Sequence, residues 1–122
     1  GAAATVTLPG GTASLSGTKT VTATTSAADS LAIPITHGVV AKTTGADAES
    51  LTLADGTPGQ ELFIYLTVDG GGDGTLTPTT KTGYSNIVFA DAGDAVLLRF
   101  LPTIGWIILG AYGYAAPPVI AA

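Results

Sequence analysis

Few side chains in this sequence are equipped for chemistry. The bend Asp69-Gly70-Gly71-Gly72-Asp73-Gly74 sets two carboxylates in a flexible backbone that could offer oxygens to Ca²⁺. It lacks the ligand spacing of an EF-hand, and one copy does not make a tandem glycine-rich calcium repeat. A tight connection between strands, with glycine supplying positive φ, accounts for it without an ion. His37 is the one histidine, and its neighbours Thr36 and Gly38 would not orient a general base. Ser50 and Ser85 flank strand-like runs and have no nucleophile-elbow context.

The carboxylates read in the same way. Asp55, Asp69, Asp73, Asp91 and Asp94 sit in turn signals, where aspartate serves the local backbone. Spacing alone leaves a carboxylate pair for glycoside hydrolysis open. Arg99 lies in an apolar run; if buried it needs a carboxylate, and Asp91 or Asp94 on the preceding turn are the near candidates for a fold or interface clamp. Phe63, Tyr65, Trp106, Tyr112 and Tyr114 could form a stacking platform for carbohydrate, and serve equally as core or subunit contact. The expectation is a protein that is not an enzyme, with no catalytic, cofactor-binding or metal-ligating residue and no cofactor.

The elements that would carry these side chains are strands. Glu61 to Val68 has the clearest pattern: Leu62, Ile64, Leu66 and Val68 share one face, and Phe63 and Tyr65 the other. A strand apolar on both faces is covered on both, between layers or at an intersubunit surface. Leu31, Ile33 and Ile35 alternate with Ala32, Pro34 and Thr36, and Pro34 confines that strand to an edge or an irregular course. Leu51-Thr52-Leu53, Thr75-Leu76-Thr77, Asn86 to Phe89, Ala95 to Leu101 and Gly105 to Gly110 follow, separated by turns such as Asp55-Gly56-Thr57-Pro58-Gly59. No stretch of a dozen residues has helical periodicity. The expected class is all-β, an antiparallel β-sandwich or barrel-like domain with an extended N-terminal arm.

Three regions are expected: an Ala/Thr/Gly arm over 1–30, a β-domain over 31–111, and an apolar Pro/Ala tail over 112–122. The arm contains Thr5-Val6-Thr7-Leu8 before the turn Pro9-Gly10-Gly11, and the alternating Thr18 to Thr24. It has too few large apolar groups to hold itself down, and reads as a loose arm or a strand added to a neighbour's sheet. Residues 101–122 carry no charge over a span-like length, but Pro102, Gly105, Gly110, Gly113, Pro117 and Pro118 interrupt them, which favours sheet plus tail over a membrane helix. Gly1 to Thr5 lacks the basic and apolar regions of a secretory signal.

Length, charge and cysteine count narrow the function classes. The 122 residues suffice for one domain with a core. Charged residues make up 11% and hydrophobic ones 46%, where about 25% charge is usual, so apolar surface is expected to be buried against sister chains. The net charge of −5 and the isolated Lys19, Lys42, Lys81 and Arg99 leave no basic stripe for nucleic acid. The absence of cysteine fits either a reducing compartment or an assembly stabilised by packing.

The runs Leu51 to Gln60, Asp69 to Pro78, Ile87 to Asp94 and Gly105-Trp106-Ile107-Ile108-Leu109-Gly110 together resemble small β-structured virion proteins of tailed bacteriophages, of the head-decoration, head-fibre and tail-fibre kind. The resemblance covers roughly residues 33–118. It implies a non-enzymatic structural protein on the virion, commonly a homotrimer, without cofactor, contacting the major capsid protein or another virion protein at the capsid exterior, and with neither nucleic acid nor membrane as partner. The chain lacks a long repetitive shaft, which favours a capsid decoration (cement) protein. The alternatives are a receptor- or carbohydrate-binding fibre or adhesin module, and a self-assembling extracellular filament subunit.

Overall fold

A computed structural model describes residues 22–24, 31–36 and 38–122. Every regular element among them is a strand: β1 (Thr22–Thr24), β2 (Val39–Thr43), β3 (Glu49–Leu53), β4 (Glu61–Val68), β5 (Gly74–Pro78), β6 (Asn86–Phe89), β7 (Ala95–Leu101), β8 (Gly105–Tyr112) and β9 (Val119–Ala121). They form a five-stranded sheet in the order β1-β2-β4-β7-β8 and a four-stranded sheet in the order β3-β5-β6-β9. The all-β sandwich expected from the sequence is the fold observed.

The period-two reading holds through most of β3, β4 and β7. Glu49, Leu51 and Leu53 turn inward while Ser50 and Thr52 are exposed. Leu62, Ile64 and Leu66 are fully buried, with Phe63 and Tyr65 half-buried on the opposite face. Val68, grouped with them by alternation, is instead 50% exposed, because the β2–β4 register shifts between Lys42 and Thr43 and carries it past the interior. The core packs Val40, Leu62, Ile64, Leu66, Val96 and Leu98 of one sheet against Leu51, Leu53, Leu76, Ile87 and Phe89 of the other.

The sheets are mixed rather than antiparallel throughout. β1–β2, β2–β4 and β3–β5 are parallel, and the remaining pairs are antiparallel. The cause is the route of the chain. From β2 to β5 each connection crosses from one sheet to the other, so the chain returns to a sheet only after visiting its opposite, and then runs in the same direction. The sandwich is therefore built in layers, one strand of each sheet per layer: β2 with β3, β4 with β5, β7 with β6, and β8 with β9.

The crossings 44–48, 69–73, 90–94 and 113–118 stack as a wall of arcs at one end of the sandwich. Gly72 N–H donates to Gly45 O at 2.9 Å, Gly70 N–H to Thr44 Oγ1 at 3.2 Å, and Gly93 N–H to Leu66 O at 2.8 Å.

Two regional expectations change and a third holds. Within the stretch read as an arm, Thr22–Thr24 adds to its own chain's sheet, in register with Val39 to Ala41; the rest of 1–30 lies outside the described residues. The stretch read as a tail returns to the four-stranded sheet, where Val119, Ile120 and Ala121 face Val88, Ile87 and Asn86. Pro117 and Pro118 precede that strand, so neither removes a donor from its ladder. The Leu31–Ile35 run makes one isolated bridge, Ala32 to Thr52, with Ile33 buried, the irregular edge that Pro34 imposes.

Candidate functional site: the outer face of the five-stranded sheet

The residues first considered for chemistry do not converge. Asp69 turns its carboxylate back on its own loop, accepting the Gly71 N–H at 2.8 Å. Among the described residues no three His, Cys, Asp or Glu side chains are grouped to hold a metal ion. The glycines of the bend have a packing role: a Cβ on Gly70 or Gly72 would overlap the backbone of the 44–48 arc, at Thr44 O and Asp47 O. His37 lies outside the described residues. Ser50 is exposed on the four-stranded sheet, and Ser85 Oγ donates to Ala122 O at 2.8 Å.

Arg99 pairs with neither Asp91 nor Asp94. It stands half-exposed on the outer face, 3.7 Å from Glu61 of the neighbouring strand. Asp94 is buried and ties its own turn, accepting the N–H groups of Ala90 and Asp91 at 2.9 and 3.1 Å.

The buried ion pair is one the sequence reading did not single out. Lys42 Nζ from the five-stranded sheet meets Glu49 Oε1 from the four-stranded sheet at 2.8 Å, with both side chains within 4% of full burial. Burial pushes the Glu49 carboxyl up. The hydrogen bonds from Lys42 and from Gly45 N–H (2.6 Å), with the ammonium charge, outweigh it and leave the group below its usual 4.5. The signal was present: Lys42 alternates with Val40, so its side chain had to enter the core. The pair clamps the two sheets beneath the wall of arcs.

Of the five aromatics, the fold separates Trp106 from the others. Trp106 is fully buried, donates Nε1–H to Ala54 O at 2.9 Å, and meets Phe100 edge-on at 5.4 Å. Tyr84, also buried, donates its hydroxyl to Trp106 O at 2.8 Å, and burial pushes its pKa up to about 12. Phe63 and Tyr65 stand together on the outer face with centroids 6.1 Å apart. Tyr112 joins that face by register across Ala95, and its ring lies over Gly110, where no side chain obstructs it. Tyr114 is 92% exposed beyond β8, with its ring beside Gly93.

The outer faces of the two sheets differ in kind. On the five-stranded sheet one cross-strand row reads Val39, Phe63, Leu97, Gly110, and the next reads Ala41, Tyr65, Ala95, Tyr112. The flanking row Glu61, Arg99, Ile107 holds this patch's one charged pair. On the four-stranded sheet the equivalent rows read Ser50, Thr75, Val88, Val119 and Thr52, Thr77. Serine and threonine suffice to finish a sheet against water, and neither stands in the β4, β7 and β8 positions of the two rows on the five-stranded sheet. The apolar face is the candidate functional surface. No family model and no curated protein matches the chain.

Proposed function

We propose that this protein is a non-enzymatic structural subunit of a virion, a capsid decoration protein that acts by burying the outer face of its five-stranded sheet against sister subunits at the capsid exterior. The observation that carries the reading is β4, apolar on both faces: Leu62, Ile64 and Leu66 fill the sandwich, while Phe63 and Tyr65 remain half-buried outside it. The assignment to a virion comes from the resemblance of the Gly/Thr-rich runs and the Gly105 to Gly110 close to phage head and fibre proteins, which also implies a trimer. The work done is thermodynamic. A subunit that binds only the assembled shell lowers the shell's free energy by mass action, without covalent chemistry.

Completing the burial of Phe63 and Tyr65 is worth about 2 kcal/mol for each ring. Size-exclusion chromatography with light scattering is expected to give a homo-oligomer for the wild type, and Phe63→Ser/Tyr65→Ser is expected to weaken it at least about a hundredfold. Co-sedimentation with expanded heads of a tailed phage that encodes the chain is the second measurement. A monomer that stays in the supernatant when the heads are pelleted ends this reading. The shared face of Phe63, Tyr65 and Tyr112 favours one rival, a glycan-stacking fibre tip, which a glycan array separates from self-association.

A further inference from the structure

The hydrophobic core runs out at the last layer without being closed. Ile108 stands beside Leu98 in register, Ala111 beside Val96, and Ile120 beside Ile87. Leu98, Val96 and Ile87 are fully buried, so all three neighbours point inward. Yet Ile108 and Ala111 are only half-buried, and Ile120 is 41% exposed. Among the described residues, β8 and β9 each end their sheet, with no further strand beyond them. The segment 80–84 covers only the start of β8, where Trp106 N–H donates to Thr80 O. Leu109, at the register shift opposite Leu97 and Leu98, and Val119 are 46% and 63% exposed on either side of the opening.

We infer that this open layer is a homotypic contact, closed by a second copy of the chain. Charge selects the occupant. All charged residues precede residue 100, and 100–122 carry none although the chain's net charge is −5. In a chain of net negative charge, an edge without charges is one that a second copy can meet with no like charges brought together and no ion desolvated. The geometry also fits. A two-fold axis normal to the sheets sets β8 antiparallel to its copy and β9 antiparallel to its copy at once, and brings Ile108, Ala111 and Ile120 against their counterparts. Leu109, Val119 and Ile120 are exposed along this one edge on both sheets, so a single pairing covers apolar surface of both at once. This contact is separate from the outer sheet face and does not rest on the proposed function. Its signature is an even number of copies: a dimer if it acts alone, six if it joins trimers.

The test uses the full chain. Light scattering of the wild type across a concentration series is expected to converge on an even count at the highest concentrations. Leu109→Lys/Val119→Lys, both at exposed positions, is expected to raise the Kd of the pairing at least about a hundredfold with an unchanged circular dichroism spectrum. Because the chain has no cysteine, Leu109→Cys is expected to form a disulfide-linked dimer on mild oxidation, whereas Thr52→Cys, on the opposite sheet's outer face, is not. The Phe63→Ser/Tyr65→Ser variant is expected to retain the Leu109→Cys cross-link. A monomer, an odd count, or an oligomer indifferent to the two lysines overturns the inference. An odd count above one does so while leaving the sheet-face reading standing.

Discussion

Replacing Gly72 with alanine tests whether the Asp69–Gly74 bend is a packing element. A Cβ there would fall on the Asp47 carbonyl, with Ala48 N at 2.9 Å, and these are backbone atoms that cannot rotate away. The Gly72 N–H also donates to Gly45 O at 2.9 Å. Moving the arcs apart by the roughly 1.5 Å that an ordinary contact requires breaks that bond. Overpacking costs about 1–3 kcal/mol and a lost hydrogen bond about 1 kcal/mol, so Gly72→Ala is expected to lose about 3 kcal/mol. Gly71→Ala is the internal control: φ is 112° there and the nearest heavy atom is 3.9 Å from the added carbon, so only backbone strain applies. That strain is worth about 1–2 kcal/mol. Urea unfolding followed by the fluorescence of Trp106, the one tryptophan and fully buried, measures both. A cation loop would give the other pattern, with millimolar Ca²⁺ raising the wild-type midpoint. A Gly72→Ala loss no larger than that of Gly71→Ala would refute the stacking argument.

Lys42→Met strands the Glu49 carboxylate between the sheets and is expected to cost about 3–5 kcal/mol, whereas Lys42→Met/Glu49→Leu recovers most of it, as paired denaturation curves would show. Glu49 has a lowered folded pKa, so its contribution is present above its unfolded pKa and fades as pH falls through the folded value; Glu49→Gln is expected to flatten the acid limb of a stability–pH profile. Tyr84 has the opposite sign: its folded pKa is raised to about 12, so stability is full below its unfolded value and falls as pH rises from there toward 12. Tyr84→Phe is expected to remove that alkaline dependence and, by losing the hydroxyl's bond to Trp106 O, to cost about 1 kcal/mol at neutral pH. Thr103 holds φ at 70° in the β7–β8 hairpin, an uncommon conformation for a β-branched residue. Thr103→Gly is expected to raise the thermal midpoint by a few degrees, from about 1 kcal/mol of relieved strain.

Local pattern carried the strands and little of their arrangement. Alternation at Leu62, Ile64 and Leu66 locates β4 and its inward face because a two-residue period is a property of neighbours in the chain. Parallel pairing of Val39 with Phe63, or of Glu49 with Gly74, depends on where two crossings deliver the chain, and no short window contains that. The bend at Asp69 was legible as a turn, but its glycines answer to a backbone arc far earlier in the sequence. Trp106 was open between a stacking platform, core and subunit contact; its partners Ala54 O and the Tyr84 hydroxyl come from connections distant in the sequence, which no local pattern contains. The place of Phe63 and Tyr65 on the face opposite Leu62 and Ile64 was legible from alternation, whereas how far each is covered was not.

The layered route of the chain has a consequence for how such a protein can change size. Because one turn of the path extends both sheets together, a whole turn could be inserted or removed between β2 and β5 with the same inward and outward alternation resuming afterwards. The spacing between sheets would stay fixed while the sandwich grew or shrank along a single direction. Length would thus vary independently of thickness, leaving the terminal layer and its chemistry untouched.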